Sequence, residues 1–233
     1  AINHTSNKHE WFVQFKEARM NGDTANEYYD YYTCVTTAEK AGGVQYQKIA
    51  GVDAWYECTF SGDMPELNFD NPKVREAVLD VAKHYLNLGV DGFRFDAVKY
   101  IYFGDTEKSV AFWEWYMEEL RKINPDVYCV GECWSGETEI LAYYDAMNCF
   151  NFAMAQAEGV VAAAAKGNSN IAKYTKYVEA YQDKVLERDA NAMGMPFLSN
   201  HDMDRIAGAF VTENNMRMAA NLYLLCTGSP VIY

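Results

Sequence analysis

GVDGFRFDAVKYI, residues 89–101, is the stretch on which the fold turns. Its apolar and aromatic residues read as a β-strand, yet that strand carries Arg94 and Asp96. Side chains alternate across a strand, so Phe93 and Phe95 face one way and Arg94 and Asp96 the other. The phenylalanines are expected to pack under helices. The charged pair is expected to point inward, near the strand's carboxyl end. A neighbouring guanidinium favours the ionised carboxylate, so Asp96 is expected to be an anion ready for chemistry. Taken alone, the strand also fits a buried structural ion pair.

Working outward, strands and helices alternate. NPKVREAVLDVAKHYLNLG (71–89) has Val74, Val78, Val81, Ala82 and Tyr85 at helical spacing. Asn71 serves as N-cap, Pro72 takes the first helical position and Gly89 stops the helix. Beyond Ile101, SVAFWEWYMEELRKIN (109–124) is an amphipathic helix that ends before Pro125. DVYCVGECW is a strand, GETEILAYYDA helical, CFNFAM a strand. AEGVVAAAAKG and NIAKYTKYVEAYQDKVLER are helical, AMGMPFLSNHD contains a strand, TENNMRMAANLYLLCTG is a helix, and SPVIY begins another strand. Such alternation predicts a parallel sheet with right-handed crossovers. A barrel and an open sheet both satisfy it. Residues 1–63 read differently, as an irregular, loop-rich region with a short helix over Glu10 to Ala18. Two short strands around a turn are expected in GGVQYQKIAGVDAWYECTF (42–60).

Parallel α/β folds place their chemistry at the carboxyl ends of the strands. Two further strands end in acids. VYCVGECW leads into Glu132, followed by Cys133 and Trp134, an apolar setting that raises a carboxyl pKa and suits a general acid. MPFLSNHD ends in Asn200, His201 and Asp202. Two carboxylates tuned in opposite directions are what glycosidic-bond cleavage requires.

Composition narrows the alternatives. The chain has 233 residues, half of them apolar, enough to bury a large core. A net charge of -13 with no Lys/Arg cluster argues against a nucleic-acid partner. No apolar run approaches the roughly 20 residues of a membrane-spanning helix. His4, His9, His84 and His201 form no H-E-x-x-H or H-x-H arrangement, which disfavours a transition-metal hydrolase. Phosphoryl and hydride transfer lack their glycine-rich signatures. The six cysteines show no C-x-x-C pair and read as buried free thiols, with Cys34 and Cys58 the one pair considered for a disulfide. Eighteen tyrosines and five tryptophans offer flat amphipathic faces on which sugars stack, although packing accounts for most aromatics.

Taken together, GFRFDAVKY, GECW and FLSNHD resemble the signatures of the fourth, fifth and seventh barrel strands of glycoside hydrolase family 13, the α-amylase family, in the family's order. MPELNFDNP (64–72) resembles a fourth signature, with Glu66 where Asp is more common. The opening INH resembles the end of the third-strand signature and GSPVIY the eighth strand. The resemblance spans essentially the whole chain. It implies an α/β (β/α)8 barrel, incomplete here, running from the end of strand three (residues 1–4) through an inserted domain (5–62) to the barrel part (63–233). This chain is therefore expected not to close a complete barrel by itself.

By match to the motifs, the resemblance implies a retaining mechanism with Asp96 as nucleophile, Glu132 as general acid/base and Asp202 as the third carboxylate. Retention implies that the Asp96 and Glu132 carboxyls lie roughly 5–5.5 Å apart. Arg94 would orient Asp96, His4 and His201 would hydrogen-bond the sugar, and Lys99 and Trp134 would line the leaving-group side. Tyr100 stands where many relatives have His. Calcium is left open as a cofactor, with Asn3 as its side-chain ligand. The implied substrate is an α-1,4-linked glucan such as starch or a maltooligosaccharide; an α-glucosidase, an oligo-1,6-glucosidase or a transglycosylase is the alternative. A monomer with no membrane span is expected. Some relatives are non-enzymatic transporter subunits that lack the acids, whereas all three acids are present here. Localisation stays open, since exported relatives and unpaired cysteines point in opposite directions.

Overall fold

The computed structural model describes residues 1–36, 44–210 and 212–233. Gly42 and Gly43, which open one stretch read above as strand and turn, and part of the expected inserted domain lie outside them. The chain divides into two compact units, Ala1–Tyr128 and Cys129–Tyr233.

In the first unit, helix α1 (Glu10–Asn21) begins where His9 Nδ1 accepts from the Trp11 amide and ends at left-handed Gly22. It buries Phe12, Phe15 and Ala18. Phe12 meets Tyr32 and Tyr56 edge to face at 5.0 and 4.8 Å. Strands β1 (Cys34–Val35), β2 (Tyr46–Lys48) and β3 (Trp55–Glu57) form an antiparallel sheet in the order β1-β3-β2. The MPELN stretch binds this sheet to the start of the chain. The Glu66 amide donates to the Glu57 carbonyl, Thr33 donates to Glu66, and Leu67 donates to Asn3 at 2.8 Å. His4 and Glu66 are thereby bridged antiparallel.

Helix α2 (Pro72–Asn87) is capped as the sequence requires. Asn71 Oδ1 accepts from the Lys73 amide at 3.0 Å, Pro72 sits in the first turn, and Gly89 follows with φ +93°. Of the residues read at helical spacing, Val74, Val78 and Ala82 are buried, whereas Val81 and Tyr85 are exposed. Leu86 continues the buried row Val74, Val78, Ala82 at intervals of four, and Leu79 widens it by one position. Strand β4 (Gly92–Phe95) follows, then helix α3 (Thr106–Ile123), whose Phe112, Trp113, Tyr116, Met117 and Leu120 are buried. Phe95 packs against Trp113 at 4.7 Å and against Tyr116 at 5.7 Å. Tyr116 in turn donates its hydroxyl to the Val78 carbonyl of α2 at 2.8 Å. Strand β5 (Tyr128–Gly131) starts with the Tyr128 amide donating to Asp91.

The second unit continues β5 into helix α4 (Glu137–Tyr143), strand β6 (Asn148–Asn151), helices α5 (Val160–Ala165) and α6 (Ile171–Arg188), strand β7 (Met195–Pro196) and helix α7 (Glu213–Leu224). β5, β6 and β7 pair in parallel, in register Gly131 with Cys149 and Asn151 with Pro196. The CFNFAM stretch is strand only to Asn151; Phe152–Met154 winds into a 3-10 turn. SPVIY, expected as a strand, makes a single parallel bridge, Val231 with Phe197. Met154, Val161, Ala165, Tyr174, Leu198, Ala219 and Tyr223 form one buried cluster under α5, α6 and α7. All six cysteines are free, Cys34 and Cys58 included. Among the described residues no helix is long and apolar enough to cross a membrane.

Two local constraints give testable consequences. A Cβ on Gly92 would lie 1.7 Å from the Tyr128 carbonyl oxygen, a backbone atom that cannot swing aside. Gly92→Ala is expected to cost about 3 kcal/mol, read as a lowered denaturation midpoint. Glu66 is buried, neither carboxyl oxygen has a well-formed hydrogen bond, and burial pushes its pKa from 4.5 up to about 9. In the unfolded chain it ionises near its ordinary value, whereas the folded protein keeps the proton. The folded state then binds more protons, so stability falls as pH rises from 4.5 towards about 9. Glu66→Gln is expected to flatten that slope, measured as thermal midpoint against pH.

Candidate active site

Asp96 stands immediately after β4, and the Arg94 guanidinium donates to its Oδ1. Alternation holds: Phe95 is buried against α3 while the pair faces the other way. In this chain, which spans about half the length of its relatives, the Arg94 and Asp96 side chains are 32% and 40% exposed. They lie on the face of the strand opposite Phe95, which packs on α3. At that exposure an ion pair contributes about 0–1 kcal/mol, too little to justify the arrangement as a stability device. What the guanidinium does is fix the direction of the carboxylate.

The backbone reverses directly after Asp96. Ala97 adopts the left-handed conformation, φ 51° and ψ 46°, which costs a residue with a Cβ about 1–2 kcal/mol. A 3-10 turn over Val98–Tyr100 follows, pinned by the Trp113 indole N–H donating to the Val98 carbonyl at 2.9 Å. The chain thus leaves the strand sharply and Asp96 stays at its tip. Sequence patterning had no signal for this conformation, since alanine is not a turn-forming residue. Lys99 lies on the 3-10 turn with its Nζ 5.4 Å from the Tyr100 ring centroid.

His4 reaches the same region from the start of the chain. Burial, and then the charge of the chain's amino terminus, lower its pKa, and the Asp96 charge partly opposes that shift. Its Nδ1 is buried with no hydrogen-bond partner among the described residues. Phe60 also packs here, its ring 5.3 Å from His4 and 4.5 Å from Tyr100. It lies 56 positions from His4 in a stretch without periodicity, and sequence reading left it among the packing aromatics.

Asn3 is buried and neither atom of its amide has a hydrogen-bond partner among the described residues. An unpartnered amide oxygen suits a hard cation. However, among the described residues no three His, Cys, Asp or Glu side chains gather where they could hold an ion. Calcium ligation also draws on backbone and amide carbonyls, and no chemistry is assigned to a cation here.

The second unit carries the other acids. Glu132 directly follows β5 and is 7% exposed, with fully buried Cys133 next to it. Trp134 is exposed, and its ring stacks on Phe152 at 5.4 Å and 23°. Phe152 is held in turn edge to face by Phe197 at 5.1 Å. Asp202 lies beyond β7, on a turn where Asn200 Oδ1 accepts from the Asp202 amide at 2.9 Å. His201 Nε2 is 3.2 Å from Asp202 Oδ2, and Tyr233 sits 6.3 Å from the His201 ring. Within the first unit, then, Arg94 and Asp96 pair; within the second, His201 and Asp202 do. Asp96 follows β4, Glu132 follows β5 and Asp202 lies beyond β7, and β5 and β7 each pair in parallel with β6; parallel α/β folds carry their chemistry at such strand ends.

The family model described as the alpha amylase catalytic domain matches residues 1–233. Alpha-amylase 3 of Dictyoglomus thermophilum is 36% identical over 235 residues, covering all of this chain and 44% of that protein. The 4-alpha-glucanotransferase of Thermotoga neapolitana is 27% identical, over all of this chain and 50% of its own length. Among solved structures, Eubacterium rectale Amy13B superposes with a TM-score of 0.89 at 29% identity, covering 98% of this chain and 46% of that one. The chain therefore spans about half the length of the relatives it matches, and the strand–helix alternation it carries is that of their (β/α)8 barrel. From its end-to-end match and the order of its strand-end acids, this chain belongs to the α-amylase family, glycoside hydrolase family 13.

Proposed function

We propose that the protein cleaves α-glucosidic bonds of starch-like glucans with retention of anomeric configuration. The observation that carries this reading is a set of three carboxylates, Asp96, Glu132 and Asp202, each beyond the carboxyl end of a strand, one of them fixed by an arginine. Under this reading the side chains have separate tasks. Glu132 gives its proton to the glycosidic oxygen as the bond to the anomeric carbon breaks. An Asp96 oxygen forms the new bond to that carbon, yielding a covalent glucosyl ester. Glu132, now a carboxylate, takes a proton from water, whose oxygen displaces Asp96 and restores the starting configuration. Asp202 holds sugar hydroxyls and stabilises the positive charge that develops on the ring.

The surroundings suit those tasks. Glu132 is largely withdrawn from water, whereas Asp96 is accessible and directed by Arg94. His4 and His201 are assigned as hydrogen-bonding partners for sugar hydroxyls; burial favours the neutral form of His4, which both donates and accepts. Lys99 and Trp134 are assigned to the leaving-group side, residues 5–62 to an inserted domain, and the native enzyme to a monomeric state. The bond cleaved is assigned as α-1,4. Transfer to a sugar hydroxyl in place of water uses the same three acids, and the glucanotransferase relative favours keeping it as the second reading.

Asp96→Asn is expected to lower kcat at least about 10³-fold. Glu132→Gln is expected to lose about 10²–10⁴-fold on maltooligosaccharides, and far less on a glucosyl fluoride, whose leaving group needs no proton. A loss below about tenfold for Asp96→Asn would remove the nucleophile assignment. Incubation with maltoheptaose, pullulan and isomaltose, followed by proton NMR, is expected to show the α-anomer first and only α-1,4 cleavage. First release of the β-anomer would overturn the retaining mechanism, and longer oligosaccharides among the products would favour the transfer reading.

A further inference from the structure

The exit from strand β6 is strained in a way that the proposed chemistry does not use. Among the described residues only two that are not glycine have a positive φ, Ala97 at 51° and Gln156 at 68°. Ala97 directly follows Asp96. Gln156 comes just after the 3-10 turn that ends β6. Left-handed backbone is disfavoured for a residue with a Cβ and persists where its surroundings impose it. The Gln156 side chain is half-buried and lines an open cleft with Glu158, Asp204 and Arg205. Packing of that side chain therefore does not account for the conformation.

The main chain does account for it. The ladder between β6 and β7 ends at Asn151 and Pro196, where β6 winds into the 3-10 turn. Leu198, just beyond, is buried, and its carbonyl needs a donor. The Gln156 amide supplies one at 2.9 Å, so the chain leaving β6 turns back onto the chain leaving β7. The turn is closed behind it. The Gly159 amide donates to the Gln156 carbonyl at 3.2 Å, and a Cβ on Gly159 would lie 2.1 Å from the Ala155 carbonyl oxygen. Leu198 and Met154, one from each exit, share a buried cluster. Past Leu198 comes buried Ser199, and then the chain bends at Asn200. There Asn200 Oδ1 accepts from the Asp202 amide, and the Asn200 carbonyl accepts from the Met203 amide at 3.4 Å. The bend that carries His201 and Asp202 is thus anchored, on its β7 side, at the carbonyl that Gln156 holds.

We propose that Gln156 is a positioning residue for Asp202: its left-handed main chain clamps Leu198 and so sets where the His201–Asp202 bend presents its carboxylate. The role belongs to the backbone, not to the glutamine side chain. This proposal rests on the glucan-cleaving reading above, in which Asp202 stabilises the charge that develops on the sugar ring. A misplaced Asp202 then weakens binding of the transition state more than binding of the substrate, and the loss falls on kcat.

The test compares Gln156→Gly and Gln156→Asn, which accept a positive φ, with Gln156→Val, whose branched Cβ does not. On maltoheptaose the Gly and Asn variants are expected to stay within about threefold of wild-type kcat. Gln156→Val is expected to fall about 10- to 100-fold in kcat, with KM changed less than about threefold. Wild-type kcat in Gln156→Val, or a loss shared by Gln156→Gly and Gln156→Asn, would overturn the clamp. A second readout needs no catalysis. The four histidines are labelled isotopically for NMR, and His201 is identified by the loss of its signals in His201→Gln. In Gln156→Val the His201 ring signals are expected to move while those of His4, His9 and His84 stay, a selectivity that general destabilisation would not produce. If the wild type cleaves no glucan and this selective shift is seen, the clamp stands and the proposed reaction falls. His201 signals that do not move overturn the clamp. Hydrogen exchange on the wild type covers the case in which Gln156→Val does not fold. There the Gln156 amide is expected to exchange at least about 100-fold more slowly than in an unstructured chain, and exchange at the unstructured rate overturns the clamp.

Discussion

The end of strand β4 is the constraint from which the first unit takes its chemistry. Phe95 is locked against Trp113 and Tyr116 on one face, so the residues on either side of it have no choice of direction. Arg94 and Asp96 must then share the opposite face, close enough to pair. Ala97 ends the strand in a left-handed turn, and the Trp113 indole holds the next turn through Val98. One tryptophan of α3 therefore fixes both the strand and the exit from it. The carboxylate at the tip is defined by packing on the far side, at a cost of about 1–2 kcal/mol in backbone strain at Ala97. Strain held in place by surrounding packing is a recurrent property of functional sites.

Much of this was legible in the sequence because it follows from short-range rules. Period-two alternation in GFRFD gave the facing of four side chains, and the Asn71-Pro72 start and Gly89 stop gave the bounds of α2 within two residues. Three acids just past three strands were visible as a pattern before any of their surroundings were. The solvent exposure of Arg94 and Asp96 was not legible, because exposure depends on which layers cover a strand face, and alternation says only that there are two faces. The misplaced stripe on α2 has a similar origin. Val81 and Tyr85 fit the helical period as well as Leu79 and Leu86 do, and only the position of Tyr116, bonded to the Val78 carbonyl, decides which side turns inward.

Contacts between distant parts of the sequence were the hardest to foresee. His4, Phe60 and Tyr100 form one row of rings from three separate stretches, joined by backbone bonds that run from Asn3 to Leu67 and from Glu57 to Glu66. The same ladder buries the Glu66 carboxyl where the family more often has aspartate. Burial, and then the neighbouring Glu57 charge, raise its pKa. SPVIY, expected to begin a strand, makes one parallel bridge, Val231 with Phe197.

The central claim is that the carboxylate fixed by Arg94 is the group that bonds to the sugar. It is tested most directly by trapping the enzyme with a fluorinated glucosyl fluoride, whose covalent intermediate turns over slowly, and locating the label by mass spectrometry of a protease digest. A single added glucosyl group on the peptide carrying Asp96, at Asp96 itself, is the predicted result. A label on Glu132 or Asp202, or steady turnover of the reagent with no covalent adduct at any time point, would contradict it.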